Sequence, residues 1–85
     1  MTEEEKKILW GRFVELITKL NKKNNREVRM NMATHANMIA KYLLASKYVL
    51  SFSDDQQSFW LASQDTISRC LDSKTEVIQG LLFEM

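Results

Sequence analysis

Three S/T-x-x-E/Q boxes, Thr2-Glu3-Glu4-Glu5, Ser53-Asp54-Asp55-Gln56 and Ser73-Lys74-Thr75-Glu76, punctuate a chain that contains no proline. In such a box the first hydroxyl accepts from the backbone N–H three residues on, and the Glu or Gln side chain accepts from the cap's own N–H in return. Each box stands before a run of apolar residues at helical spacing, so each marks a helix start. With no proline to interrupt those runs, the chain is expected to be all-α.

The first helix is predicted over about 3–20. At 100° per residue, Leu9, Trp10, Phe13, Leu16, Ile17 and Leu20 fall in one arc, and Arg12, Glu15, Thr18 and Lys19 lie opposite. Ile8 falls among the polar residues, where a single exposed apolar side chain is ordinary. Asn21-Lys22-Lys23-Asn24-Asn25 reads as the loop after it, because Asn tolerates left-handed geometry and Lys suits a helix C-terminus. A second helix is predicted over about 26–50, and its continuity through 30–34 is open, since Thr34 could cap a fresh start there. Its apolar residues go nearly all round: Ala36, Ile39, Ala40, Leu43, Leu44 and Leu50 on one side, Met38, Tyr42, Ala45 and Val49 on the other. A helix of that kind is expected at the centre of a bundle. The third helix, about 54–71, turns Phe59, Trp60, Ser63, Ile67, Cys70 and Leu71 inward and pairs Asp65 with Arg69 at i,i+4. A fourth, about 74–84, carries Val77, Ile78, Leu81 and Leu82. The expected architecture is a small compact bundle of about four helices in one domain, residues 1–85, with the first two helices antiparallel across their short loop.

Size and charge narrow the function classes. At 85 residues a lone core is marginal, and association is a natural source of further stability. No apolar stretch reaches the ~18–20 residues that cross a bilayer, and Met1-Thr2-Glu3-Glu4-Glu5-Lys6-Lys7 lacks the apolar run of a signal peptide. A single cysteine, Cys70, fits a reducing interior, so a cytoplasmic protein is expected. Residues 1–47 hold ten Lys/Arg against five Glu, a balance of +5, whereas residues 48–85 hold two against six carboxylates, −4. That split serves a contact surface of one sign, or attraction between copies.

Groups that carry catalysis are few. His35 stands alone, with no His-x-x-x-His, Cys-x-x-Cys or Glu-x-x-His pattern, and reads as a partly buried structural imidazole. Cys70 shares the apolar face with Ile67 and Leu71 and reads as core. Asp54 and Asp55 belong to the start of a helix, where the dipole favours anions. The only glycines are Gly11 and Gly80, so there is no phosphate-cradling loop. No enzyme, no cofactor and no metal site is expected.

Two features bear on nucleic acid. Lys19, Lys22, Lys23, Arg26 and Arg29 form a basic cluster able to neutralise phosphates or meet an acidic partner, though no aromatic residue interleaves with it to stack bases. Residues 64–81 resemble a helix-turn-helix through Ile67, Ser68, Leu71, a turn at Asp72-Ser73, Ile78 and Leu81. The resemblance implies a second helix in the major groove, with Lys74, Thr75 and Gln79 facing the bases. Two departures count against it: Asp72 replaces the family's turn glycine, and the C-terminal half is acidic.

The expected function is therefore that of a small non-enzymatic regulator, inhibitor or adaptor that binds another protein through an apolar helix face, with self-association as a variant. Leu82, Phe83 and Met85, with Trp10 and Tyr48, are the expected anchors, because aromatic residues carry interface energy and Met adapts to irregular contacts. Lys19, Lys22, Lys23, Arg26 and Arg29 would steer association. A nucleic-acid-binding regulator is the alternative. In composition the chain resembles small bacterial or phage regulators.

Overall fold

The computed structural model describes residues 2–71, and these form α1 (Glu3–Leu20), α2 (Arg26–Ala45), a 3-10 turn (Tyr48–Ser51) and α3 (Asp54–Cys70). Among the described residues the structure is all helical. The predicted fourth helix and the Ser73 box lie outside them.

Two boxes close as the sequence predicts. The Glu5 N–H donates to Thr2 Oγ1 at 3.2 Å while the Thr2 N–H donates to Glu5 Oε1 at 3.4 Å. At α3, the Ser53 N–H donates to Gln56 Oε1 at 3.0 Å and the Gln56 N–H to Ser53 Oγ at 3.4 Å. The first turns, Glu3–Glu5 and Asp54–Asp55, place carboxylates on the positive end of each helix dipole. α2 is capped by Asn25, whose Oδ1 accepts from the Val28 N–H at 3.0 Å.

α2 settles one open point and departs from expectation at its end. It runs unbroken through 30–34, because Thr34 Oγ1 donates to the Met30 carbonyl at 2.9 Å and so bonds back along the helix instead of capping a new one. It also ends at Ala45, five residues before the expected limit, where the chain turns through Lys47 at φ 59°. The 3-10 turn after it buries Val49 and turns Leu50 outward.

One core joins the three helices. Phe13, Ile17, Leu20, Leu43, Trp60 and Ile67 are its most deeply buried large side chains. Ala33, Ala36 and Ala40 are buried on α2, and their small side chains let neighbouring helices approach closely. Toward one end the core becomes aromatic. Trp10 lies 4.3 Å from Phe52 and 5.9 Å from Phe59 between ring centroids, Phe13 lies 5.0 Å from Trp60, and Tyr48 meets Phe52 edge-on at 4.7 Å. Contact of Trp10 with Phe59 and of Arg29 with Cys70 makes α1 and α3 parallel and α2 antiparallel to both. The starts of α1 and α3 thus share one end with the α2–α3 connection, and the α1–α2 loop shares the other with the last turn of α3.

Candidate functional site: an apolar end and a basic end

Six large apolar side chains among the described residues remain exposed, Ile8 on α1, Val28 at the start of α2, and Met38, Tyr42, Leu50 and Leu61 from the middle of α2 to the middle of α3. Met38 is 52% exposed, Tyr42 57%, Leu50 63% and Leu61 59%. Met38, Lys41, Tyr42 and Ala45 line an open groove of about 420 Å³ on the outer face of α2. Val49, Leu50, Gln57, Trp60 and Leu61 line a smaller one of about 170 Å³ between the 3-10 turn and α3. Trp60 is 2% exposed, and its Nε1 is buried without a hydrogen-bond acceptor among the described residues. A buried donor left unpaired costs roughly 1–3 kcal/mol, so this groove carries an unsatisfied polar group beside two exposed leucines.

Helix periodicity explains how this surface arises. α2 buries Ala33, Ala36, Ile39, Ala40, Leu43 and Leu44, and one face suffices for its packing on α1 and α3. Its second apolar side therefore stays open along Met38, Tyr42 and Ala45. The all-round apolar pattern in the sequence carries this signal, but the same pattern also describes a fully buried central helix, and α2 is not one. Leu50, expected on the buried side, is turned out by the early end of α2.

Trp10 and Tyr48, expected as partner anchors, belong to the core at 9% exposure each, because the aromatic cluster around Phe52 encloses them. Leu82, Phe83 and Met85, together with Lys74, Thr75 and Gln79, lie outside the described residues. Of the residues that carry the helix-turn-helix resemblance, Ile67 and Ser68 are buried on α3 and Leu71 is half-buried just after it, and those from Asp72 on lie outside the described residues.

The opposite end is basic. Lys19, Lys22, Lys23 and Arg26 are exposed around the α1–α2 loop, and Arg29 is half-buried. Lys19 is held by Glu15 at 2.7 Å, with Arg12 3.6 Å from the same carboxylate. The hydrogen bond from Lys19, then the charges of Lys19 and Arg12, hold the Glu15 carboxyl below its usual range. Arg69 pairs with Asp65 at 3.0 Å, the i,i+4 contact expected from the sequence. The acidic residues Glu3, Glu4, Glu5, Asp54 and Asp55 sit at the other end, at the starts of α1 and α3. Lys6, Lys7, Lys41 and Lys47 lie toward that same end, so it is mixed in charge and does not reproduce the split along the sequence.

His35 is exposed on α2, not partly buried, because it falls between the two apolar sides of the helix. Cys70 is buried, and its polar neighbour is Arg29, not His35: Arg29 Nη2 donates to Sγ at 3.5 Å. Among the described residues no three His, Cys, Asp or Glu side chains gather as a metal ion requires. No described helix is long and apolar enough to cross a membrane. No protein-family model, curated protein or solved structure matches the chain.

Proposed function

We propose that this chain is a non-catalytic helical regulator or adaptor that binds another protein through its apolar end. The observation that carries the reading is the pair Met38 and Tyr42, each more than half exposed and lining one open groove on α2, with Leu50 and Leu61 exposed beside a second groove. Single exposed apolar residues are common on any protein, whereas two that line one groove favour a partner. Tyr42 and Met38 are residue types suited to anchoring and to irregular packing. Lys41 within the larger groove suits a partner segment that carries a carboxylate next to its apolar side chains. Leu82, Phe83 and Met85 extend the same chemistry in the sequence. A second copy of the chain is the self-associating form of this reading. The buried, unpaired Cys70 suits a reducing compartment such as the cytoplasm.

A photo-crosslinking residue placed at position 42 or 61 of the full chain, in its native cells, tests this. Discrete crosslinked protein adducts are expected from both positions, absent from a control at position 7 on the polar side of α1. Equal, diffuse labelling from all three positions would defeat the reading.

The basic loop end supports nucleic-acid binding as a second reading, since Lys19, Lys22, Lys23 and Arg26 are all exposed there. Duplex DNA and single-stranded RNA titrated at rising salt decide it. Binding through phosphates loses affinity with a log–log slope of about 0.9 per contact on DNA. Absence of binding at low salt eliminates it.

A further inference from the structure

We infer that the cleft where the opening turn of α2 meets the closing turn of α3 is a binding site for a single phosphate group carried by a small molecule. Arg26, Arg29, Met30, Arg69 and Cys70 line it, enclosing about 210 Å³. Three of these five side chains are guanidinium groups, and none of them is a carboxylate. Arg29 is the central observation. Among the described residues its Nε is buried with no hydrogen-bond partner, and its Nη2 donates to the Cys70 sulfur at 3.5 Å. Sulfur is a weak acceptor, so among these residues a half-buried cation is left without an anion to offset the loss of its water. A tetrahedral oxyanion supplies what is missing, because guanidinium forks match its geometry with paired, charge-assisted hydrogen bonds.

The neighbouring arginines suit the same ligand. Arg69 is committed to Asp65 through an exposed pair at 3.0 Å, and such pairs hold weakly against solvent and salt. Arg26 occupies the first position of α2, where the helix dipole adds to the positive field. The helix end does not carry the argument alone, since Asn25 already accepts from the Val28 N–H. The volume sets the class of ligand: sites for drug-sized molecules run to ~300–1,000 Å³, so this one takes a phosphoryl group with few atoms beyond it. A nucleic-acid backbone would call for cations strung along a track, whereas Lys22 and Lys23 do not line the cleft. This inference does not depend on the apolar end.

The test is a titration of the full chain with inorganic phosphate at constant ionic strength, with chloride as the control, followed by the Arg Nε–Hε signals in NMR. A saturable shift of the Arg29 signal is expected with a Kd of roughly 1 mM or tighter, and none with chloride. Arg29→Met should abolish the phosphate-dependent change elsewhere in the spectrum, and Arg29→Lys should weaken binding about tenfold, because an ammonium cannot bind bidentately. Arg69→Gln, a change at an exposed side chain that leaves the fold intact, should weaken binding severalfold. Glycerol phosphate, a monoester with few atoms beyond the phosphoryl group, separates the sources in a parallel titration: tighter binding than phosphate assigns an organic monoester, and equal binding assigns free phosphate. A linear, unsaturated shift in phosphate overturns the inference. So does binding of a short oligonucleotide where phosphate fails, which would transfer these arginines to the nucleic-acid reading.

Discussion

The indole of Trp10 and the ring of Phe52 stand 4.3 Å apart between centroids, tilted by 47°, and this pair joins the first helix to the segment that enters the third. Phe52 also meets Tyr48 edge-on and lies 6.1 Å from Trp60. Aromatic residues in such arrangements contribute beyond their buried area. Phe52→Ala should therefore cost about 3–5 kcal/mol of unfolding free energy in urea titrations. Tyr42→Ala, on the open face of α2, should change it by no more than about 0.5 kcal/mol. Similar losses at both positions would mean that Tyr42 packs as core and that the apolar end is no free surface.

The same aromatic pair shows where the sequence is legible and where it is not. The place of Trp10 in the inward arc of the first helix depends only on 100° periodicity within one element, and the structure bears it out. The burial of Trp10, expected as a partner anchor, depends on Phe52 and Phe59, which arrive from another part of the chain. The starts of α1 and α3 are legible because the capping chemistry of Thr2 and Ser53 is local. Asn25 reads as loop in a run of Asn and Lys, although Asn before a helical run is itself a start signal. Thr34 has two uses for its hydroxyl, capping or bonding back to Met30, and nothing local chooses between them. The end of α2 leaves no glycine or asparagine as a mark. The surface at Met38 and Tyr42 is hidden from the sequence because periodicity shows that a side is apolar, never whether something covers it.

Lys47 accounts for that unmarked helix end. It is the described non-glycine residue with positive φ, at 59°, and its N–H donates to the Leu44 carbonyl at 3.0 Å. Left-handed geometry costs a residue with a Cβ about 1–2 kcal/mol, whereas glycine adds about 0.4–1 kcal/mol of freedom to the unfolded chain. Relief of strain exceeds the entropy cost, so Lys47→Gly should stabilise the protein by roughly 0.5 kcal/mol. Lys47→Val should destabilise it, since a β-branched side chain tolerates this geometry least. Both are read from denaturant midpoints at unchanged slope.

Glu15 sets a pH dependence of known sign. Its carboxyl is held low by the hydrogen bond from Lys19, then by the charges of Lys19 and Arg12. A carboxylate favoured in the folded state contributes stability above its unfolded pKa and loses it as pH falls through the lower, folded value. NMR of the side-chain carboxyl should give a midpoint below the usual ~4.3 of glutamate. Lys19→Ala should bring the midpoint back up, as should ~1 M salt, where the Debye length shrinks to ~3 Å. Because Glu15 is exposed, the accompanying change in global stability should be slight. A midpoint indifferent to both changes would mean that the Lys19 contact does not persist in solution.

The two closed capping boxes have the same chemistry but different leverage. Ser53 fixes the turn between the buried Phe52 and the start of α3, so loss of its cap acts on a helix anchored on both sides. Thr2 caps a helix whose first turn, Glu3 to Glu5, is exposed and can fray without disturbing Trp10 or Phe13. Ser53→Ala should cost about 1 kcal/mol, within the usual range for a lost cap, and Thr2→Ala measurably less. Gln56→Ala should remove the reciprocal bond to the Ser53 N–H, and the double variant should lose less than the sum of the two, since each partner depends on the other. Amide exchange locates the effect: faster exchange over residues 54–57 in Ser53→Ala, with the end of α3 at Cys70 unchanged. Uniform acceleration along α3 would show instead that the cap supports the whole helix.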